Sequence, residues 1–407
     1  MDTSTGRPPP TLLEYRDPEG FRGFLAYSGT SRPLAAGGLR VQRGLTGETI
    51  VALAEAMRLK ENVLQLNVDG AKCGIDYDPT ADGKHAAMRR FLRWLRPELE
   101  DRLSVGPDMG TTFAEIEALA RAEGIPSAKA AIARAQGLSE LQVVRRLKTL
   151  DSKVGSLTVG ARRAGQALAH AALAAARHRG LSANGRPLSC ALQGFGTLGR
   201  GAAATMREAG VELTTIADEH GSLRCSAGID LQRLLAADRR APLASPQQAT
   251  TTSGSREAVL AEPVDLLLLA ACEDALALED VERVRAPIVA VGANNGLRDE
   301  VETALGERGI LVVPDFIGGA GGSAAMDALF SPAVCPDPVT VLAHVALIAR
   351  TLVERTMATA CKAGVYPREA ALGIAEQAAL SGDARPYGLR VLRDIARPAR
   401  GYPCVGV

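Results

Sequence analysis

The sequence predicts a two-domain α/β protein, one of whose domains is built on a doubly wound parallel sheet. Three observations carry this. At 407 residues the chain exceeds a single typical core, so two domains are the natural expectation. Short apolar runs at Val264–Leu269, Ile288–Val291 and Ile310–Val313 each end in a turn, in the rhythm of repeated βαβ units. Ahead of them, Leu188 to Asp218 reads as strand, glycine turn, helix and a second strand closing on an acid.

Composition excludes several function classes. A formal net charge of +1 sets up no field for nucleic acid or an anionic membrane, and 3% aromatic residues make a base-stacking platform implausible. Seven cysteines, an odd and scattered set without C-x-x-C, point to reduced thiols in the cytoplasm and away from structural zinc. The five histidines include no H-E-x-x-H, so no metal site is expected. No apolar run reaches the roughly 18 residues of a membrane span. The opening MDTSTGRPPP is polar and Pro-rich, and residues 1–19 read as a loose, disordered tail.

Each element has a local reason. Gly23 to Ser28 reads as a strand, and Gly37-Gly38-Leu39-Arg40-Val41 as a second. Thr46 to Leu66 carries a helical stripe of Ile50, Leu53, Ala54, Met57, Val63 and Leu64, with Thr46 or Gly47 as cap. Asn67 to Pro79 reads as an irregular loop with Lys72 between Gly70 and Gly74. Asp82 to Leu99 is an Arg-rich helix, Leu103 to Val105 a brief strand, and Phe113 to Ala122 a helix. Short helices and turns fill 124–156, and an Ala-rich helix from Leu157 to Arg179 leads into the strand Cys190-Ala191-Leu192. Ala241 to Arg256 is expected as an exposed loop. Helices from Val339 to Ala363 and from Pro367 to Leu380 are expected to pack back on the first domain. The expected division is therefore 20–156 plus 335–407 against 157–334.

Chemistry is most legible in Gly194-Phe195-Gly196-Thr197-Leu198-Gly199. This G-x-G-x-x-G stands between a strand and a helix, and Asp218 follows 24 residues after its first glycine. That context is the dinucleotide-binding fingerprint: glycines for a tight turn and close backbone approach, helix N–H groups for a pyrophosphate, and an acid for a ribose 2′-OH. In the other domain Lys60 and Lys72 lie twelve residues apart, and Asp108 sits in a Gly-Pro-Asp-Met-Gly turn. Partial burial and neighbouring charge would suit a lysine to acid–base work. Spacing alone favours solvated lysines and a simple Asx-turn at Asp108.

The ordered set Gly37-Gly38-Leu39-Arg40, Met57-x-x-Lys60, Gly70-Ala71-Lys72-x-Gly74-Ile75 and Pro107-Asp108-x-Gly110-Thr111 resembles the glutamate/leucine/phenylalanine/valine dehydrogenase family. Thr158, the glycine fingerprint, Asp218, Ala270-Ala271-Cys272-Glu273, Gly292-Ala293-Asn294, Pro314-Asp315 and Ala320-Gly321-Gly322 continue the match in order, over roughly residues 20 to 330. Chain length and the short N-terminal segment look more like the leucine and phenylalanine branch. The resemblance implies NAD(P)-dependent, reversible oxidative deamination of an L-amino acid by a homo-oligomer. It assigns Lys60 to the substrate α-carboxylate, Lys72 to the 2-oxo group and the attacking water, and Asp108 to protons of the amino nitrogen. Thr158, Ala271 and Asn294 join the fingerprint and Asp218 in seating the cofactor, with NAD favoured and NADP left open. Beside Gly37 and Gly38, Ala36 stands where glutamate enzymes carry a lysine for the side-chain carboxylate, and Met326 stands where they carry a serine. An apolar or aromatic side chain is therefore expected, not glutamate. Ser323, where apolar-substrate enzymes keep valine, and Gly319, where the family carries asparagine, leave room for an unusual amino or oxo acid. A non-catalytic NAD-binding regulator is the remaining alternative.

Overall fold

A computed structural model describes residues 9–181, 185–237, 243, 251–378 and 385–388. Two compact units emerge. One holds the described residues through Lys148, Phe330–Ala333 and those described within Ala378–Arg390; the other holds Thr149–Leu329 and Val334–Gln377.

The first unit is a five-stranded sheet with strand order β1-β2-β4-β3-β5. Its elements run β1 (Thr11–Arg16), β2 (Arg22–Tyr27), β3 (Leu34–Gln42), α1 (Gly47–Val63), β4 (Val68–Asp76), α2 (Lys84–Asp101), β5 (Leu103–Pro107), α3 (Phe113–Ala122), α4 (Ala131–Gln136) and α5 (Glu140–Leu147). Two expectations are corrected. Thr11–Arg16 lies inside the segment read as a tail, yet pairs antiparallel with β2 from Thr11↔Tyr27 to Arg16↔Arg22. The segment read as a glycine loop is the buried strand β4, held between β2 and β3. Gly70 is there for packing: a Cβ on it would fall 2.3 Å from Ala54 O and Arg58 N, so its absence lets α1 lie on the strand. Thr46 caps α1 by accepting a hydrogen bond from Thr49 N, as its position suggested, a contact of about 1 kcal/mol. Leu39, Phe91, Leu92, Leu95 and Val105 are among the fully buried side chains of this unit's core. A clasp closes it: Gln136 Nε2 donates to Phe330 O and Tyr387 O, each at 3.1 Å, and the Phe330 and Tyr387 rings stack.

The second unit contains β6 (Lys153–Val154), β7 (Leu157–Thr158), α6 (Val159–His178), β8 (Ser189–Gln193), α7 (Thr197–Glu208), β9 (Glu212–Asp218), β10 (Gly221–Arg224), α8 (Leu231–Ala236), β11 (Thr252–Gly254), β12 (Leu266–Leu269), β13 (Ile288–Val291), α9 (Asp299–Glu307), β14 (Leu311–Val313), α10 (Asp315–Gly318), α11 (Gly321–Phe330), α12 (Pro338–Ala363) and α13 (Pro367–Glu376). Its seven-stranded sheet is ordered β11-β10-β9-β8-β12-β13-β14. The stretch β9-β8-β12-β13-β14 is parallel, and β10 and β11 add an antiparallel edge. Part of the loop expected at Ala241–Arg256 is thus the edge strand β11, and residues 244–250 lie outside the described residues. The Ala-rich composition of α6 now has a reason. It packs against both α7 and α12, and a Cβ on Gly165 would sit 2.1 Å from Ala202 N of α7. α12 lies along α6, and α13 packs on α12 and β14, so Val334–Gln377 groups with the second unit, whereas 335–407 was expected with the first. Cys73, Cys190, Cys225, Cys272 and Cys335 are free thiols, whereas Cys361 is disulfide-bonded, contrary to the expectation of uniformly reduced cysteines.

One buried acid in this unit sets a pH dependence of stability. Glu302 on α9 is pushed up to about 8, by burial first, with Arg368 opposing and Asp315 and Asp299 adding to the rise. Arg368 Nη1 reaches Glu302 Oε1 at 3.0 Å and Asp315 Oδ1 at 3.2 Å. A folded-state value above the ordinary 4.5 means the contribution is fully present below about pH 4.5 and is lost as pH rises through about 8. The uncharged Glu302→Gln protein is therefore expected to gain in Tm relative to wild type between pH 5 and pH 9. Parallel Tm–pH curves would refute this.

Candidate active site

The first unit concentrates charge on one face of its sheet. Lys72 lies in the middle of β4 and is 2% exposed. Its Nζ lies 2.8 Å from Asp108 Oδ2, and Arg40 Nε of β3 donates to the same oxygen at 2.7 Å. Burial, the largest influence on Asp108, would raise its carboxyl, but the charges and hydrogen bonds of Lys72 and Arg40 outweigh it and hold it well below the usual carboxylate range. The residue is set by its turn. Thr111 Oγ1 accepts from Asp108 N and donates to Leu39 O at 2.8 Å, and Gly110 takes φ +75° where a side chain would meet Val41 O. Glycines make the floor. A Cβ on Gly38 would stand 3.3 Å from Lys72 Nζ and 2.9 Å from Asp108 Cβ, and one on Gly37 would stand 1.7 Å from Ala71 O.

The other predicted residues of this unit lie on α1 and β3. Lys60 is buried in the last turn of α1. Ala36 is half-buried on β3, two residues before Gly38 and paired with Ser104 of β5. Cys73 is fully buried and its thiol is pushed up to about 12 by burial, which makes it a small filler and no nucleophile. Sequence reasoning missed two cations. Arg40 was read only as part of a motif. Lys129, which is buried, donates to Ser104 Oγ at 3.3 Å beside Gly106. Arg40 gave no local signal, because an arginine in a strand reads the same whether buried or solvated.

In the second unit the fingerprint forms the turn from β8 into α7. Gly194 has φ +93°, and a Cβ there would meet the Ala271 backbone at 2.7 Å; a Cβ on Gly199 would fall 1.9 Å from Gly194 O. Gly196 is different: it is exposed, caps α7, and a Cβ on it would meet nothing within 4 Å. Open space above a glycine at a helix N-terminus suits a pyrophosphate, so these residues fit a dinucleotide. Phe195 is buried beneath Arg200, Thr197 is exposed, and Leu198 is half-buried. Ala271 and Asn294 follow β12 and β13, at the strand ends of the parallel sheet. Thr158 caps α6 through Ala161 N. Asp218 ends β9, but its carboxylate already accepts from His220 N, Gly221 N and Leu243 N, so a ribose would share it with a turn. Ser323 and Met326 are both buried on α11.

Residues 155–377 match the family described as Glutamate/Leucine/Phenylalanine/Valine dehydrogenase, and residues 12–123 match its dimerisation domain. The chain belongs to that family. Its members are NAD(P)-dependent amino-acid dehydrogenases acting on CH–NH2 donors, and relatives include enzymes named NAD-specific and NADP-specific. The NADP-specific glutamate dehydrogenase A1 of Halobacterium salinarum is 28% identical over 325 residues, covering 75% of this chain and 70% of the relative. Glutamate dehydrogenase of Thermotoga maritima is 27% identical, over 77% of this chain and 73% of its own. Among solved structures, the hetero-hexameric glutamate dehydrogenase of Thermus thermophilus in its Leu-bound form superposes with a TM-score of 0.73 at 25% identity, covering 91% of this chain and 88% of that one. L-tryptophan dehydrogenase of Nostoc punctiforme shares the fold, with a TM-score of 0.59 at 18% identity over 90% of this chain and 95% of that one. In this dehydrogenase the family resemblance thus extends through the first unit and through the sheet that carries the fingerprint. No helix among the described residues is long and apolar enough to cross a membrane.

Proposed function

We propose that the protein catalyses reversible oxidative deamination of an L-amino acid to its 2-oxo acid and ammonia, through Lys72 and Asp108. The reading is carried by one observation: a buried lysine and a carboxylate 2.8 Å apart on a glycine-floored sheet face. A bound nicotinamide dinucleotide, held by Gly194, Gly196, Gly199 and Asp218 with Thr158, Ala271 and Asn294, supplies the acceptor for the Cα hydride. Lys60 binds the α-carboxylate by charge and hydrogen bonds. Asp108 takes a proton from the amino nitrogen, so that the lone pair can form the iminium as hydride leaves Cα, and returns it to that nitrogen when ammonia is expelled from the water adduct. Lys72 then accepts a proton from the water that adds to this iminium, and its ammonium polarises the oxygen as ammonia departs. The balance is amino acid, oxidised cofactor and water to oxo acid, ammonium, reduced cofactor and a proton.

Ala36 supports the finer reading that the substrate side chain is apolar or aromatic rather than that of glutamate, since burying a carboxylate against an alanine is costly. Gly319 and the buried Ser323 favour, as second reading, an unusual amino or oxo acid on the same machinery. A regulator without catalysis has no use for the buried Lys72–Asp108 pair. The dimerisation-domain match supports assembly into a homo-oligomer through the first unit. The test is NADH or NADPH formation at alkaline pH across the twenty L-amino acids. Turnover of leucine, valine, phenylalanine or tryptophan above glutamate is expected. Glutamate as the preferred substrate would overturn the finer reading, and binding of NAD without any turnover would move the weight to the second.

A further inference from the structure

The geometry points to Arg40 as a positioning residue, which holds Asp108 ionised until substrate offers it a proton and keeps it from drawing the proton of Lys72; the inference rests on the reaction proposed above. Arg40 is 3% exposed and sits on β3 opposite Gly74, whose lack of a side chain leaves it room: a Cβ there would meet Arg40 O at 2.6 Å and Arg40 Cβ at 3.2 Å. Its Nε and Lys72 Nζ both reach Asp108 Oδ2, at 2.7 and 2.8 Å, while Nη1 donates to Gln42 Oε1 at 3.3 Å. Asp108 Oδ2 is therefore anchored twice.

Two cations on one oxygen are redundant for holding a carboxylate still, but not for a carboxylate whose partner changes charge. A lysine that serves as acid and base passes through a neutral state. Alone with it in a buried site, Asp108 would take Lys72's proton, and the pair would neutralise itself internally instead of exchanging protons with substrate. Arginine removes that outcome because its guanidinium stays protonated throughout. Among the described residues, the charged groups that act most strongly on Asp108 are Lys72 on β4 and Arg40 on β3, and the thiol of Cys73, which burial keeps neutral, lies by them. Only Arg40 among them has a constant positive charge.

The experiment compares wild type with Arg40→Gln and Arg40→Lys. It follows the Asp108 carboxyl by carbon-13 NMR, with kcat/KM against pH on the best substrate and a thermal melt as fold control. In Arg40→Gln the Asp108 titration is expected to move up by about one pH unit or more. The acid limb of kcat/KM should move with it, KM for the cofactor should hold, and Arg40→Lys should recover part of the shift. Unchanged Asp108 titration in folded Arg40→Gln overturns the assignment, as does an activity loss that is equal at every pH. Should both variants fail to fold, Lys72→Met with Arg40 intact decides: Asp108 ionised at neutral pH supports the role, and Asp108 protonated there refutes it. The titration needs no turnover, so an inactive wild type would sink the proposed reaction and still leave Arg40 tested.

Discussion

Replacing Lys72 by alanine is expected to lower kcat/KM by about 10²–10⁴-fold, the range associated with loss of a positioned acid–base group. The loss should appear in kcat at saturating substrate, because the α-carboxylate is assigned to Lys60. Cofactor affinity, which is assigned to residues of the second unit, should stay within about twofold. Lys72→Arg separates the two things a lysine provides. It restores a positive charge near Asp108 but cannot give up its proton, and the site leaves an ammonium only 3.3 Å from the position of a Gly38 Cβ, where a wide guanidinium fits poorly. Arginine should therefore rescue less than tenfold. If Lys72→Arg returned most of the activity, charge alone would suffice, and proton exchange at Lys72 would have to be abandoned. Asp108 changes as well, since Lys72→Ala removes one of the two charges that hold its carboxyl below the usual range. The residual activity of Lys72→Ala is accordingly expected to fall earlier on acidification than that of wild type.

Fold and site were unequally legible in the sequence, and the difference has physical causes. The fingerprint, the cap at Thr46, the turn at Asp108 and the strands β12, β13 and β14 are local features, in which a few adjacent residues dictate backbone shape. β4 was misread because it is buried on both faces, so no alternation marks it, and because Gly70 and Gly74 look like loop glycines. In fact their place is dictated by the backbone of α1 and by Arg40, all outside any local window around them. β1 escaped notice beside a Pro-rich opening, although Thr-Leu-Leu-Glu-Tyr-Arg has the makings of an edge strand with exposed Leu12 and Leu13. The antiparallel β10 and β11 broke a rhythm that had suggested only βαβ units. Arg40 is the instructive miss at the site. Its partner Asp108 lies 68 residues away, and no local pattern tells a buried arginine in a strand from a solvated one.

Gly37→Ala and Gly38→Ala should fail in opposite ways, although they are adjacent on one strand. The new methyl at 37 would lie 1.7 Å from Ala71 O and 2.5 Å from Ala71 C, inside the backbone of the paired strand β4. Ala71 is paired with Tyr27 of β2 on its other side, so its backbone cannot step aside. A cost above the usual 1–3 kcal/mol of overpacking, on the order of the whole stability of a marginal unit, is expected. The measurement is soluble yield and Tm, and a Gly37→Ala protein that melted within about 2 °C of wild type would contradict the register of β3 on β4. At 38 the nearest atoms are Asp108 Cβ at 2.9 Å, Pro107 O at 3.1 Å and Lys72 Nζ at 3.3 Å. The turn that carries Asp108 and the flexible end of a lysine can shift by a few tenths of an ångström. Stability should then drop by about 1–2 kcal/mol, while the Lys72–Asp108 pair is pushed off its geometry. A displacement near 1 Å at reacting groups costs about 10²-fold in rate, so a folded protein with kcat reduced by about that factor is the expected product. The contrast is informative beyond either variant alone. If Gly38→Ala kept full activity in a folded protein, the face it borders would not be where the substrate reacts.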